Sequence, residues 1–321
     1  MNATSAVKAA LPVLDAALAP LAFLAAALLH GVRRAGVQRM PLCRAALHAA
    51  RCFPINEHYY EPLFRTDRLR TPLDRERELP GIEWNEEEQL AMLASFHYQE
   101  ELRRIPRGKR DEREFRLGNG SFDEADAQYL YCLLRLLKPR QMVEIGAGQS
   151  TLIALLATAA NRREDAGYRC QHSCVEPYEA PWLEDTGVAV IRRRVEELEP
   201  ALFQRLERND VLFIDSSHVI RPQGDVLFEY LRLLPLLSPG VVVLVHDIFT
   251  PRDYPASWLI DQMRFWNEQY LLEAFLTHNR CWRVVGALSY LHHRHFGALA
   301  DALPGIPAGH EPGSFYLRRM A

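Results

Sequence analysis

The segment Met142-Val143-Glu144-Ile145-Gly146-Ala147-Gly148-Gln149-Ser150-Thr151 constrains the fold more than any other part of the chain. An apolar strand pattern ends in a glycine turn and runs directly into the helical Leu152-Ile153-Ala154-Leu155-Leu156. Glycines let the backbone take positive φ and let a ligand approach without a Cβ in the way, and the helix start that follows presents free N–H groups. A bare strand-to-helix turn does not require an acid at a fixed place before its glycines. A dinucleotide fold prefers a third glycine where Thr151 stands, and it has no need of Glu144.

The pattern around this segment alternates. Residues 141–145, 168–176, 188–191, 211–215 and 241–246 read as short buried strands, with helical patterns between most of them. A helix is predicted from Ser121, a good cap with Glu124 three residues on, through Tyr129, Leu130, Leu133, Leu134 and Leu137 to a stop at Lys138-Pro139. Residues 282–291 and 314–317 add two more strands. Such alternation predicts an α/β fold, a doubly wound and mainly parallel sheet covered on both faces, with ligands beyond the carboxyl ends of its strands. The 321 residues allow one large domain or two modest ones. Lys and Arg (38) nearly balance Asp and Glu (41), and 48% of residues are hydrophobic, which excludes a disordered chain, a collagen-like chain and a polytopic membrane protein. Without an overall basic excess, nucleic acid is not an expected partner. Cys43, Cys52, Cys132, Cys170, Cys174 and Cys281 are scattered rather than framed, as reduced thiols of a cytosolic compartment are.

The N-terminus carries a different signal. Residues 16–29 form an uncharged run with Leu18, Leu21, Phe23, Leu24, Leu28 and Leu29. That core falls short of the roughly 20 residues a spanning helix needs, but residues 9–29 reach the length with Asp15 tolerated. Arg33, Arg34, Arg39, Arg44 and Arg51 follow with no acid between them, against only Lys8 before, so the positive-inside rule places the bulk of the chain in the cytoplasm. Residues 1–34 therefore read as a membrane anchor or an interfacial helix, with a cleaved signal as the third alternative. The expected location is the cytoplasmic face of the inner or plasma membrane, single-pass or peripheral, or otherwise the cytoplasm. Residues 35–118 read as a helical and loop extension, a candidate lid or acceptor-binding segment. It holds the cluster His58-Tyr59-Tyr60-Glu61-Pro62, a helix capped by Asn85 with Leu90, Leu93, Phe96 and Tyr98 at helical intervals, and a charged loop over 103–116. Gly118-Asn119-Gly120 breaks the chain before the alternating region, 119–321.

Glu144-Ile145-Gly146-Ala147-Gly148-Gln149-Ser150-Thr151 resembles motif I of class I S-adenosylmethionine-dependent methyltransferases, in the branch that includes macrocin O-methyltransferase-like enzymes. Further matches follow in order: Val175-Glu176-Pro177, Leu212-Phe213-Ile214-Asp215-Ser216-Ser217-His218, Leu236-Leu237-Ser238-Pro239-Gly240, Val245-His246-Asp247 and Gly313-Ser314-Phe315-Tyr316-Leu317-Arg318. The resemblance implies the seven-stranded methyltransferase sheet with a reversed last strand, and S-adenosylmethionine as cosubstrate. It implies cosubstrate contacts at Glu144, Gly146, Ala147, Gly148 and Ser150, with the acid facing the ammonium group. Glu176 would accept from both ribose hydroxyls, since an ionised acid is acceptor-only. Glu196 would edge the adenine, although a helix-start acid explains it as well.

Asp215, His218, His246 and Asp247 are the candidate catalytic residues, because two end the fourth strand and two end the fifth at the edge facing the methyl donor. Asp215, His246 and Asp247 are also candidate ligands for a divalent metal, although metal-using relatives carry two acids where His246-Asp247 stands. A histidine base is the alternative to a metal, and the sequence leaves both open. Arg221, Gln223 and Asp225 shape the acceptor site or form a plain polar turn. Cys170-Gln171-His172-Ser173-Cys174 reads as a strand with buried thiols rather than a zinc set, and His292-His293-Arg294-His295 as a solvated loop. The expected acceptor is a small molecule or a saccharide, with a glycan or lipid-linked saccharide suited to a membrane surface. A non-catalytic scaffold of the same fold and a nicotinamide-dependent oxidoreductase are the alternatives.

Overall fold

The computed structural model describes residues 3–109 and 111–321, which fall into two compact units, Met1–Thr71 and Pro72–Ala321. The first unit holds helices α1 (Ala3–Ala35) and α2 (Pro41–Ala50). Over Ala10–Ala35 the mean hydropathy is 2.0 and none of the apolar window is buried. Gly36 ends α1 with a φ of 92°, a conformation side chains other than glycine rarely adopt. Arg33 and Arg34 occupy its last turn, where cations suit the negative end of the helix dipole. Arg33 pairs with Glu61 and lies 4.7 Å over the Phe53 ring, folding the following loop back onto the helix end. No residue of α2 is buried.

In the second unit the helices are α3 (Glu86–Ala94), α4 (Gln99–Leu102), α5 (Glu124–Leu137), α6 (Gln149–Glu164), α7 (Asp225–Phe228), α8 (Glu268–Leu276), α9 (Leu288–Arg294) and α10 (Phe296–Ala302). The strands are β1 (Gln141–Ile145), β2 (Gln171–Val175), β3 (Ala189–Ile191), β4 (Val211–Ile214), β5 (Val242–Val245), β6 (Trp282–Ala287) and β7 (Phe315–Arg319). They form one seven-stranded sheet in the order β3-β2-β1-β4-β5-β7-β6. β1 to β5 run parallel, and β7 is antiparallel to both β5 and β6, which is the reversed last strand that the motifs imply. Every residue of β4 and β5 is buried, as expected of parallel strands covered on both faces. Alternation along each strand splits the core. Phe213 and Leu244 pack on the side of α5 and α6, while Leu212, Ile214, Val243 and Val245 pack with Tyr230 and Leu233 on the other.

Several elements differ from the sequence expectation for physical reasons. The helix expected from Ser121 begins at Glu124, because Asp123 is the better placed cap: its Oδ1 accepts from the Glu124 backbone N–H at 2.8 Å and from that of Gly118 at 2.8 Å. Asn85 does not cap α3; its Oδ1 accepts instead from the Val284 backbone N–H of β6 at 3.1 Å. The strand expected over 282–291 stops at Ala287 and turns into α9, so the histidines from His292 lie on and just after a helix, with His292 itself buried. The chain divides between Thr71 and Pro72, and residues 72–118 are part of the sheet-bearing unit. Gln89 of α3 accepts from the Ala287 backbone N–H at 2.7 Å, and Glu101 of α4 holds Arg135 of α5 at 2.8 Å.

Candidate functional site

The carboxyl ends of β1, β2 and β4 enclose a cavity of about 620 Å³, bordered by Gly146, Ala147, Glu176, Glu196 and Asp215. Gly146 is required there twice over: its φ is 78°, and a Cβ would sit 2.0 Å from the Asp215 carbonyl oxygen. That close approach lets the Asp215 backbone N–H reach the Ile145 carbonyl at 2.8 Å, bringing the ends of β1 and β4 together. Glu176 ends β2 with one oxygen occupied. Its Oε1 accepts from the backbone N–H groups of Tyr178 and Glu179, both at 2.9 Å, while Oε2 lies 3.5 Å from the Ala147 nitrogen of the glycine turn.

Glu144 has a different place from the one its motif position implies. Its carboxylate is fully buried and does not border the cavity. It accepts from Thr151 Oγ1 at 2.7 Å and Ser150 Oγ at 3.2 Å, and meets His172 Nε2 at 2.8 Å. A buried carboxylate must be hydrogen-bonded, and here it ties the end of β1 to the first turn of α6 and to β2. Gly148 and Ser150 likewise lie off the cavity wall. The His172 partnership is absent from the sequence reading, although strand pairing supplies it: residue 144 sits opposite Cys174 in the parallel register. Burial pushes the Cys170 thiol up to about 11 and the Cys174 thiol further, so both behave as thiols.

Asp215, His218, His246 and Asp247 do converge. His218 Nε2 lies 3.2 Å from Asp215 Oδ1 and 3.5 Å from Asp247 Oδ2, and His246 Nδ1 lies 3.5 Å from a carboxylate oxygen of each acid. His218 and Asp247 both hold a φ of 58°, an uncommon conformation for residues with side chains and one that turns them back toward the strand ends. On its far side His218 Nδ1 meets Glu268 Oε2 at 2.8 Å, and Tyr230 donates to the other oxygen of that acid at 3.1 Å. Glu268, at the start of α8, is a site residue that the sequence reading lacks; it carries no local motif and arrives from 50 residues downstream.

The electrostatics follow from this crowding. Burial alone would raise the Asp215 pKa, but His246 and His218 outweigh it and hold the carboxyl well below its ordinary range. Burial works against charge on His246 too, yet Asp247 and Asp215 push it up to about 10. Against the same burial, Asp215 and Glu268 raise His218 well above its ordinary value. Burial raises Asp247, against the pull of His246. Glu229 is forced well up by burial and by Glu268 and Asp225, and it accepts from the Ser216 hydroxyl at 3.1 Å. Asp225 accepts from the Ser217 backbone at 3.0 Å and hydroxyl at 2.8 Å; with Arg221 it borders the cavity, and Gln223 does not.

The residues fit a divalent cation. One ligand atom from each of Asp215, His246 and Asp247 lies within 4.8 Å of the others, and His246 Nδ1 is buried with no hydrogen-bond partner. Two carboxylate oxygens and an imidazole nitrogen suit manganese, iron or zinc better than magnesium.

Residues 143–248 match the model of a methyltransferase domain family. An uncharacterized protein of Archaeoglobus fulgidus is 24% identical over 165 residues, which is 47% of this chain and 73% of that protein. Among solved structures the chain is similar to the O-methyltransferase from Bacillus cereus in complex with SAH, at 14% identity and a TM-score of 0.36 over 71% of this chain and 90% of that one. It is also similar to the O-methyltransferase TomG from Streptomyces achromogenes, involved in tomaymycin synthesis and solved with SAM, at 15% identity and a TM-score of 0.37 over 75% of this chain and 92% of that one.

Proposed function

We propose that this chain, a class I S-adenosylmethionine-dependent methyltransferase, transfers its methyl group to a hydroxyl oxygen of a small molecule, a glycan or a lipid-linked saccharide at the cytoplasmic face of a membrane. One observation carries the reading: Asp215 borders the cavity and also belongs to the His–Asp cluster. A donor in the cavity and an acceptor at the cluster meet on that side chain. In this reading Glu176 takes the ribose hydroxyls through Oε2, the oxygen its own loop leaves open, while the Gly146-Ala147 backbone flanks the methionine end and Glu196 the adenine. Glu144 acts one layer back, by fixing the helix start that follows the turn.

Methyl transfer is an in-line displacement: the acceptor oxygen bonds to the methyl carbon, the C–S bond breaks with its electron pair going to sulfur, and the hydroxyl proton must leave. A cation held by Asp215, His246 and Asp247 would supply a lowered pKa at the acceptor hydroxyl. His218 takes the proton. Its Nε2 faces Asp215 and Asp247, and Glu268 fixes the ring through Nδ1; a cation on the two aspartates would lessen their hold on the protonated ring, while the hold of Glu268 stays. The apolar, unburied window of α1 with its trailing arginines supports attachment to a membrane, spanning it or lying on it.

Calorimetric titration of the full chain in detergent with S-adenosylmethionine tests the reading. The parent binds, and Glu176→Ala weakens binding about tenfold or more. Undiminished affinity in a folded Glu176→Ala variant would contradict it.

A further inference from the structure

Between β5 and α8 the chain forms an aromatic strap. Trp258 meets Phe249 edge-on at 5.2 Å and Trp266 edge-on at 5.2 Å, and Trp266 packs against the His218 ring at 4.3 Å. The Arg264 guanidinium lies over the corner where the two indoles meet, its central carbon 4.4 Å from the centroid of each. Its backbone N–H is bonded to the Trp258 carbonyl at 2.9 Å, so the backbone that carries it is fixed as well. Two other arginines are matched to acids: Arg221 to Asp225 at 3.4 Å and Arg77 to Glu273. Among the described residues no carboxylate lies within ion-pair distance of Arg264, and Asp261 close by in sequence is exposed.

Two indole rings hold a cation through their π faces and accept none of its N–H groups in conventional hydrogen bonds. The guanidinium edge carries the planar donor fork that matches a carboxylate or a phosphate with two parallel hydrogen bonds. A half-buried cation held against two rings, with no acid within ion-pair distance among the described residues, has its fork free for an anion. One indole separates it from His218, so the anion belongs to a molecule reaching the His–Asp cluster. The cluster itself presents Asp215 and Asp247, which repel an anionic group and leave it the Arg264 end, with the hydroxyl toward the carboxylates. We propose that Arg264, clamped by Trp258 and Trp266, binds a carboxylate or phosphate group on the methyl acceptor and thereby selects anionic, hydroxyl-bearing acceptors. The inference rests on the methyl-transfer reading of the neighbouring cluster.

The test uses the full chain in detergent and follows quenching of tryptophan fluorescence. Glucuronate and glucose 6-phosphate are each titrated against glucose, and phosphatidylinositol in micelles against an alkyl glucoside. These arms separate carboxylate from phosphate and a soluble from a lipid source. In at least one pair the anionic member binds about tenfold or more tightly, and Arg264→Gln removes that preference. Arg264→Lys, which keeps the charge without the fork, retains only part of it. Equal binding in every pair, absence of binding in every pair, or a preference that survives Arg264→Gln overturns the proposal. S-adenosylmethionine binding in the same samples stands apart: its loss in the parent contradicts the cosubstrate reading, and its retention in Arg264→Gln shows that the variant is folded.

Discussion

His218 and Glu268 meet at 2.8 Å through Nδ1 and Oε2, which joins a residue just past β4 to the first residue of α8 and leaves Nε2 as the nitrogen that faces the two aspartates. The acid is fully buried, so the contact fixes the ring in one orientation. We take Glu268 as a positioning residue that acts through His218.

Glu268→Gln keeps the shape and a hydrogen bond but removes the charge. Turnover should fall about tenfold or more with unchanged S-adenosylmethionine affinity, and the acidic limb of the rate profile, set by the His218 base, should move to lower pH with the weaker hold on its proton. A purely structural role would lower the melting temperature and leave that profile in place.

The two motif acids should separate by phenotype. Glu144→Gln disrupts a buried carboxylate with three partners, at a cost of about 1–3 kcal/mol and a melting temperature lower by several degrees. Glu176→Ala should weaken the cosubstrate about tenfold or more and lower melting less than Glu144→Gln, through the two loop N–H groups it leaves unanswered. Calorimetry and thermal melts on both variants check the division, and reversed phenotypes would refute it.

In chelated protein the cluster should make stability depend on pH with a definite sign. His246 is raised from 6.5 to about 10, so its contribution is fully present below about 6.5 and is lost as pH rises through about 10. Asp215 is lowered, so its contribution is present above its ordinary value of 3.8 and is lost as pH falls toward its depressed pKa. Thermal melts between pH 7 and about 10 should therefore decline, and His246→Asn should flatten the decline. Adding manganese or zinc should raise the melting temperature of the parent and not of Asp247→Ala.

Removal of residues 1–34 should move the protein from the membrane to the soluble fraction with cosubstrate affinity unchanged, since the cavity lies wholly in the unit from Pro72 onward. Fractionation with titration of the truncated chain checks this; a full-length chain that is soluble without detergent would remove the anchor.

The sheet was legible because parallel strands buried on both faces appear as continuous apolar runs, such as Val211–Ile214, and because glycine and acid marks punctuate their ends. The convergence of Asp215, His218, His246 and Asp247 followed from the same geometry, since adjacent strands deliver their ends to one edge. Glu268, Trp266 and Arg264 were not legible, because a helix start and a loop that fold over the edge carry no periodicity tying them to it. The burial of Glu144 was hidden for another reason: only the pairing register puts His172 and Cys174 beside it. The tie of Asn85 and Gln89 to β6 was not legible because it spans nearly 200 residues of chain.

The central claim is methyl transfer at the edge shared by Asp215 and His218, and isotope transfer measures it directly. The full chain in detergent is incubated with methyl-deuterated S-adenosylmethionine and cell-envelope extract, and products carrying the label are resolved by mass. The account predicts labelled products with the parent and their loss with Asp215→Ala and with His218→Ala. Parental labelling by both variants, or no labelled product from a parent that leaves S-adenosylmethionine unbound, would contradict it.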